Sequence, residues 1–175
     1  MTTQSAVASN RQIEAILNEL KSEAETTRRV LERVPAEKFN WKPHEKSMEM
    51  GRLASHVAEM FKWTPMILNS PELDFAKAEY KPFEPQSNQE LIGFFEQCLA
   101  EAVESLKTAS DEALGENWTL RNGETVYFTM PKSAVIRTMV LNHIFHHRGQ
   151  LSVYLRLNDI PVPSIYGPSA DEGNM

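Results

Sequence analysis

The chain has 175 residues, with 18 Lys and Arg against 24 Asp and Glu, and a formal net charge of -6. That length predicts one domain over residues 1–175 with a sizeable core, and the acidic balance without a basic stripe argues against nucleic acid as a partner. No stretch approaches the ~18 consecutive apolar residues of a spanning helix, so no membrane span is expected. The single cysteine, Cys98, cannot form an internal disulfide and fits a reducing compartment. The opening "MTTQSAVASNRQIEA" lacks the basic and apolar regions of a signal peptide, so a cytoplasmic location is expected.

The first element in chain order is a helix from about Ser9 to Val34. Ile13, Ile16, Leu17, Leu20, Ala24, Thr27, Leu31 and Val34 recur at three- and four-residue steps and form one stripe. Pro35 ends it, and a proline-bearing connector follows in which His44 is placed at the surface. The second helix is expected from Met48 to Leu68, with Met50, Leu53, Val57, Met60, Phe61, Thr64 and Leu68 on one side and Pro65 kinking or shortening it. "NSPELDFAKAEYKPFEPQ" has no period and reads as a long loop.

Ser87 and Glu90 have capping-box spacing and open the third helix, whose stripe runs Leu91, Phe94, Phe95, Cys98, Ala102 and Leu106. "WTLRNGETVYF" alternates apolar residues around Asn122-Gly123, the preferred pair of a type I′ turn, and predicts a β-hairpin. The fourth helix is predicted from Ser133, as N-cap, to Asn158, followed by an extended tail rich in Pro, Gly and Ser. The expected fold is all-α: a four-helix bundle with a small β-hairpin between the third and fourth helices.

Within the fourth helix, "LNHIFHHRGQL" holds three histidines in five residues. With Ile136 at zero and about 100° per residue, His147 falls near 20°, His143 near 340° and His146 near 280°. His143 and His147 are therefore expected at the centre of the buried face, with His146 at its rim. Four residues apart, the first two can converge on one cation, or they can be a pair of core histidines hydrogen-bonded to water or backbone. On the second helix, His56 falls near 240° from Met50, on the flank of the apolar arc, where a lone histidine is commonly a hydrogen-bonded core residue. Three histidines on two helices match the ligand count of an open metal site.

"HIFHHRGQLSVYLRLNDIPVPSIYGPSADE" resembles the C-terminal helix and tail of the DinB family, and "FNWKPHEKSMEMGRLASHVAEM" resembles that family's Trp-x-Pro connector and the helix carrying its first histidine. The resemblance implies a four-helix bundle that binds one divalent metal through three histidines, which by matching positions are His56, His143 and His147. It also implies a homodimer. Relatives in the wider superfamily include S-transferases that use low-molecular-weight thiols and an isomerase that uses mycothiol. Three imidazoles suit zinc, nickel or iron, as well as cobalt and copper, and do not choose among them.

The sequence assigns no catalytic residue. Residue 144 is Ile, so the general base of the HExxH motif is missing. Glu59 could serve as a base or orient an imidazole, but a solvated surface glutamate is the expected state. Gln150 and Tyr154 are placed to hydrogen-bond a ligand, with Tyr154 expected in the core. Trp41, Trp63 and Trp118 could line a pocket, though packing is the usual role of large aromatics. Cys98 is expected to be buried and inert. Gly149 inside a helix suggests a close backbone approach by the tail or another subunit. The expectation is a divalent-metal-dependent enzyme that transfers a low-molecular-weight thiol or hydrolyses a small-molecule substrate; the alternative is a non-catalytic binding or stress-response module.

Overall fold

The structure is a computed structural model that describes residues 11–173. The chain is mostly helical with a small three-stranded sheet, so the fold is not purely all-α. Helix α1 spans Arg11–Leu31, and the expected start at Ser9 lies outside the described residues. Its N-terminus is closed from a distance: the carboxylate of Asp111 accepts from the backbone N–H groups of Gln12 and Ile13 at 3.1 and 2.9 Å. At the other end Asn88 donates to the carbonyls of Leu31 and Val34, both at 2.8 Å. Both ends thus find the partners a helix terminus lacks within itself.

Helix α2 (Met50–Glu59) runs through a 3₁₀ turn (Met60–Lys62) into α3 (Trp63–Asn69). Pro65 has no N–H to offer the carbonyl of Phe61 and its ring crowds that group, which accounts for the tightened turn just before it. The connector caps α2, since the carbonyls of Trp41 and Phe39 accept from the N–H groups of Met50 and Gly51. A Cβ on Gly51 would sit 2.9 Å from Cβ and Cγ of Phe39. Gly51→Ala would gain ~1 kcal/mol in helix propensity but overpack against a side chain held close to its own backbone, at about 1–3 kcal/mol. The expected result is a net loss of stability, read as a lower urea midpoint with an unchanged slope.

Strand β1 (Glu72–Asp74) lies in the stretch expected to be loop, and it pairs in parallel with β2. Three residues are too few to show an alternation. Helix α4 covers Asn88–Thr108 with Ser87 as N-cap, its hydroxyl accepting from Glu90 N. Only half of the expected capping box forms, because Glu90 reaches back to Gln86 N rather than to Ser87. The short helix α5 (Asp111–Gly115) was not foreseen.

β2 (Asn117–Asn122) and β3 (Thr125–Pro131) form the antiparallel hairpin. Asn122 pairs with Thr125, so the turn residues are Gly123 and Glu124, and only Gly123 has positive φ (58°). A type I′ turn needs positive φ at both, so the expected turn is replaced by one with glycine at the first central position, the type II′ pattern. The final helical track is α6 (Lys132–Val135), a π-helical stretch (Ile136–Leu141) and α7 (Asn142–Leu157). It begins directly after Pro131, and Ser133 is not its cap.

The core draws on every long helix: Leu20 and Val30 from α1, Leu53 and Val57 from α2, Phe95 from α4, Ile144 and Leu151 from α7. Helix α2 packs on both α4 and α7 while α1 covers α4 and α7 from the other side. A Cβ on Gly149 would meet nothing within 4 Å, so the close approach expected there is absent among the described residues. No helix among the described residues is long and apolar enough to cross a membrane.

Candidate metal centre

The packing of α2 on α7 brings His56, His143 and His147 together, with ligand atoms all within 4.8 Å of one another. Nε2 of His56 lies 3.4 Å from Nε2 of His143, which lies 2.8 Å from Nε2 of His147. The wheel from Ile136 misplaces these rings slightly. The π-helical stretch takes more residues per turn than an α-helix, so a fixed 100° step does not hold across it. Ile144 and Leu151 occupy the fully buried centre of α7; His147, 8% exposed, and the half-buried His143 lie beside them toward α2. The i, i+4 relation between the histidines survives because both lie after that stretch.

The second nitrogen of each ring decides what the first can do. Nδ1 of His56 is 2.7 Å from Glu59 Oε1, and Nδ1 of His147 is 2.7 Å from Gln150 Oε1. Both partners are acceptors, so each Nδ1 carries the proton and each Nε2 presents a lone pair. Burial, with the neighbouring imidazoles, holds His143 below its ordinary pKa and His147 down at about 4. With its proton on Nδ1, His147 presents a lone pair to His143 Nε2 at 2.8 Å, and a cation among the rings would let every Nε2 ligate. For metal–nitrogen bonds of about 2.0–2.1 Å meeting at 90–110°, adjacent nitrogens stand roughly 2.9–3.4 Å apart. Three imidazole donors suit a single divalent ion, and the two Nε2 pairs at 3.4 and 2.8 Å stand close to that spacing.

Glu59 corrects the sequence reading. It is 7% exposed rather than a solvated surface residue. Its Oε1 accepts from His56, from Arg52 Nη2 at 3.0 Å and from the Tyr80 hydroxyl at 2.7 Å. Burial pushes its pKa up, but the bonds from His56, Tyr80 and Arg52 outweigh it and hold the carboxyl below its ordinary value. Burial beside this carboxylate raises the Tyr80 phenol to about 12. Arg52 and Tyr80 were both missed: Tyr80 comes from the stretch without period, 21 residues from its partner. Glu59→Gln removes the charge that fixes the His56 ring. It is expected to weaken metal affinity about 10–100-fold, measured by competition with a chromogenic chelator, without unfolding the chain.

The other candidates separate clearly. Tyr154 is a core residue whose hydroxyl donates to Met48 O at 3.3 Å, with Trp41 edge-on to its ring. Trp118 is fully buried and donates to Ser70 Oγ, whereas Trp63 is half-buried beside a cavity. Cys98 is buried, and that burial lifts its thiol to about 12, so it offers no thiolate near neutral pH. His44 and His146 are exposed.

The sequence matches the DinB family profile over residues 3–174. The chain belongs to the DinB family. Among its relatives is the uncharacterized protein YrdA of Bacillus subtilis (strain 168), 28% identical over 162 residues and 91% of each chain. A DinB-like protein from Bacillus cereus ATCC 10987 superposes with a TM-score of 0.66 at 25% identity, covering 87% of this chain and 97% of the other. The DinB-like YjoA of Bacillus subtilis shares the fold at a TM-score of 0.64 and 19% identity, covering 84% of this chain and 96% of the other. As a DinB chain, the protein carries three histidines that could hold a metal ion.

One residue beside the cluster was not foreseen. Arg148 follows His147 directly and is 1% exposed. Its Nη1 donates to Glu23 O and Thr27 Oγ1 at 3.1 and 3.0 Å, and its Nη2 to Glu23 Oε2 and the Tyr166 hydroxyl at 2.7 and 2.6 Å. It ties α7 to α1 and to the C-terminal tail.

Proposed function

We propose that His56, His143 and His147 hold one divalent metal ion and that this DinB protein is a metal-dependent enzyme acting on a small molecule. The supporting observation is the set of three converging Nε2 atoms, with the outer nitrogens of His56 and His147 tied to acceptors. When bound through three imidazoles, such an ion retains open coordination positions and supplies Lewis acidity there. Glu59 keeps the Nδ1 proton on His56 and puts a negative charge beside the centre; Gln150 does the orienting for His147 without charge. Burial keeps the rings of His143 and His147 neutral at pH 7, the form that ligates.

Transfer of a low-molecular-weight thiol is the first reaction to test, and hydrolysis of a small substrate the second. The thiol would come from outside, because Cys98 is sealed and protonated. The four long helical tracks are read as a four-helix bundle, the chain as one domain, and the assembly as a homodimer in the cytoplasm. Metal analysis of the purified protein tests the centre: one equivalent of zinc, nickel or iron per chain is expected. Thermal melts with and without chelator, together with thiol-transfer and hydrolysis assays, test the chemistry. Turnover that disappears on chelation while the fold persists supports an enzyme. A large fall in melting temperature without turnover under any assay supports a non-catalytic module.

A further inference from the structure

A cavity of about 1090 Å³ opens on the outer side of α2 and α3, roofed by the segment of residues 75–86 and floored in part by α4. His56 and Glu59 belong to its wall; His143 and His147 do not. The roof has no regular secondary structure but is fastened at three points. The Tyr80 hydroxyl bonds Glu59, Phe83 stacks on Phe94 with centroids 4.2 Å apart, and Gln86 N donates to Glu90. Pro82 and Pro85 stiffen the span. A chamber of this size lies just above the usual range for small-molecule pockets, roughly 300–1,000 Å³.

Its chemistry is uneven in a useful way. Trp63, Met66, Phe75, Phe83 and Phe94 supply ring faces and a thioether along the walls. Such faces favour flat rings that stack or meet them edge-on. The Arg52–Glu59–Tyr80 group forms part of the same wall, beside His56. Glu59 Oε1 already accepts three hydrogen bonds, while Oε2 meets no donor among the described residues. Oε2 is open to solvent and free to accept from a ligand in the cavity, while Nη1 of Arg52 beside it is buried without a partner. The charged residues of the wall are three cations and four carboxylates, so no surplus of positive charge attracts an anion.

We infer that this chamber binds a neutral, flat ring compound that presents a hydroxyl or amine hydrogen to Glu59. The ring lies among Trp63, Phe83 and Phe94, and its donor meets Oε2 on the wall beside His56. That this occupant is the substrate rests on the metal-dependent reading above; the binding itself does not.

The test uses 2-naphthol as the donor-bearing ring and 2-methoxynaphthalene as the same ring body without the hydrogen. Each is titrated into the full chain, metal-free and metal-loaded, by calorimetry and by quenching of tryptophan fluorescence. Expected is saturable binding of one 2-naphthol per chain in both forms, with the methoxy compound at least about tenfold weaker for want of a hydrogen bond to a charged acceptor. Phe94→Glu and Ala78→Trp, the latter at an exposed position of the wall, should each weaken 2-naphthol at least about tenfold, with thermal melts identifying any variant that fails to fold. Absence of saturable binding, equal affinity for both compounds, or unchanged affinity in a folded variant would overturn the inference. Metal content measured on the same samples keeps the two questions apart: a chain that binds 2-naphthol but no metal refutes the metal centre and leaves the chamber standing.

Discussion

Replacing His147 with Ala is expected to lower metal affinity by more than about 100-fold, since losing even an outer-shell partner commonly costs 10–100-fold and His147 is the most buried of the three rings. The loss has two parts. One of three donors disappears, and the remaining pair, the His56 and His143 Nε2 atoms 3.4 Å apart, cannot alone fix an ion against water. His143→Ala is expected to act the same way. His146→Ala is the control on the same helix: its ring stands 4.7 Å from that of His147, but it is exposed and outside the cluster. It should keep full metal content. Purified variants analysed by plasma mass spectrometry after dialysis decide the matter. Equal metal in all three would mean that the ion, if any, is held elsewhere.

The metal-free protein has its own way to satisfy these rings. With the His143 proton on Nε2, the 2.8 Å contact with His147 is an N–H···N hydrogen bond between neutral imidazoles. Removing an imidazole loses that bond and leaves a small cavity that costs packing. His143→Ala without metal should therefore melt modestly below the metal-free parent, whereas with metal present the parent alone should gain stability in proportion to the logarithm of free ion concentration. The gap between the two melting curves as metal is added measures the site directly.

How much of this was readable from residues alone follows from the range of the interactions. The spacing of His143 and His147 lies within one turn, and periodicity captured it even though the π-helical stretch upstream spoiled the absolute angles. His56 was reached as the candidate third ligand on a facing helix by ligand count and its place on the flank of the apolar arc, and the resemblance then implied the same residue, because a wheel shows a flank but not what faces it. Glu59 was misread for a related reason: its burial depends on Tyr80 and Arg52 converging on it, and Tyr80 sits in a segment with no period to place it. β1 escaped notice because a three-residue strand is defined by its neighbour β2 rather than by its own pattern. The hairpin was visible, while its turn slipped by one residue to Gly123-Glu124, accompanied by a bulge between Leu120 and Arg121 that alternation alone does not reveal. Arg148 lay beyond sequence reasoning altogether, since an arginine on a helix is taken as solvated and its partners Glu23 and Tyr166 are 125 and 18 residues away.

Arg148→Ala is expected to lower stability by about 3–5 kcal/mol, the range for removing one partner of a buried ion pair. The guanidinium is fully enclosed, and the Glu23 side chain against it is only 12% exposed. Without Arg148, Glu23 Oε2 keeps the Tyr166 hydroxyl, at 2.9 Å, as its one donor among the described residues, Thr27 Oγ1 loses a donor, and the Glu23 carbonyl is left with its bond within α1. The ring of Tyr166 also loses the cation it faces at 5.2 Å, so the tail should loosen from α1. For a chain of this size the change corresponds to a melting temperature lower by roughly 6–20 °C. Two companions separate the charge from the shape. Glu23→Gln in the Arg148→Ala background removes the stranded carboxylate and should recover part of the loss, giving a coupling energy of about 1–3 kcal/mol in a double-mutant cycle. Arg148→Lys keeps the charge but not the fork that reaches four acceptor atoms at once, and should fall between the two. Below its melting temperature, Arg148→Ala should still take up one equivalent of metal, because no atom of the guanidinium is bonded to the histidine cluster. A variant that melts like the parent yet fails to bind metal would reverse the assignment, making Arg148 part of the centre rather than the tie that holds α7 and the tail on α1.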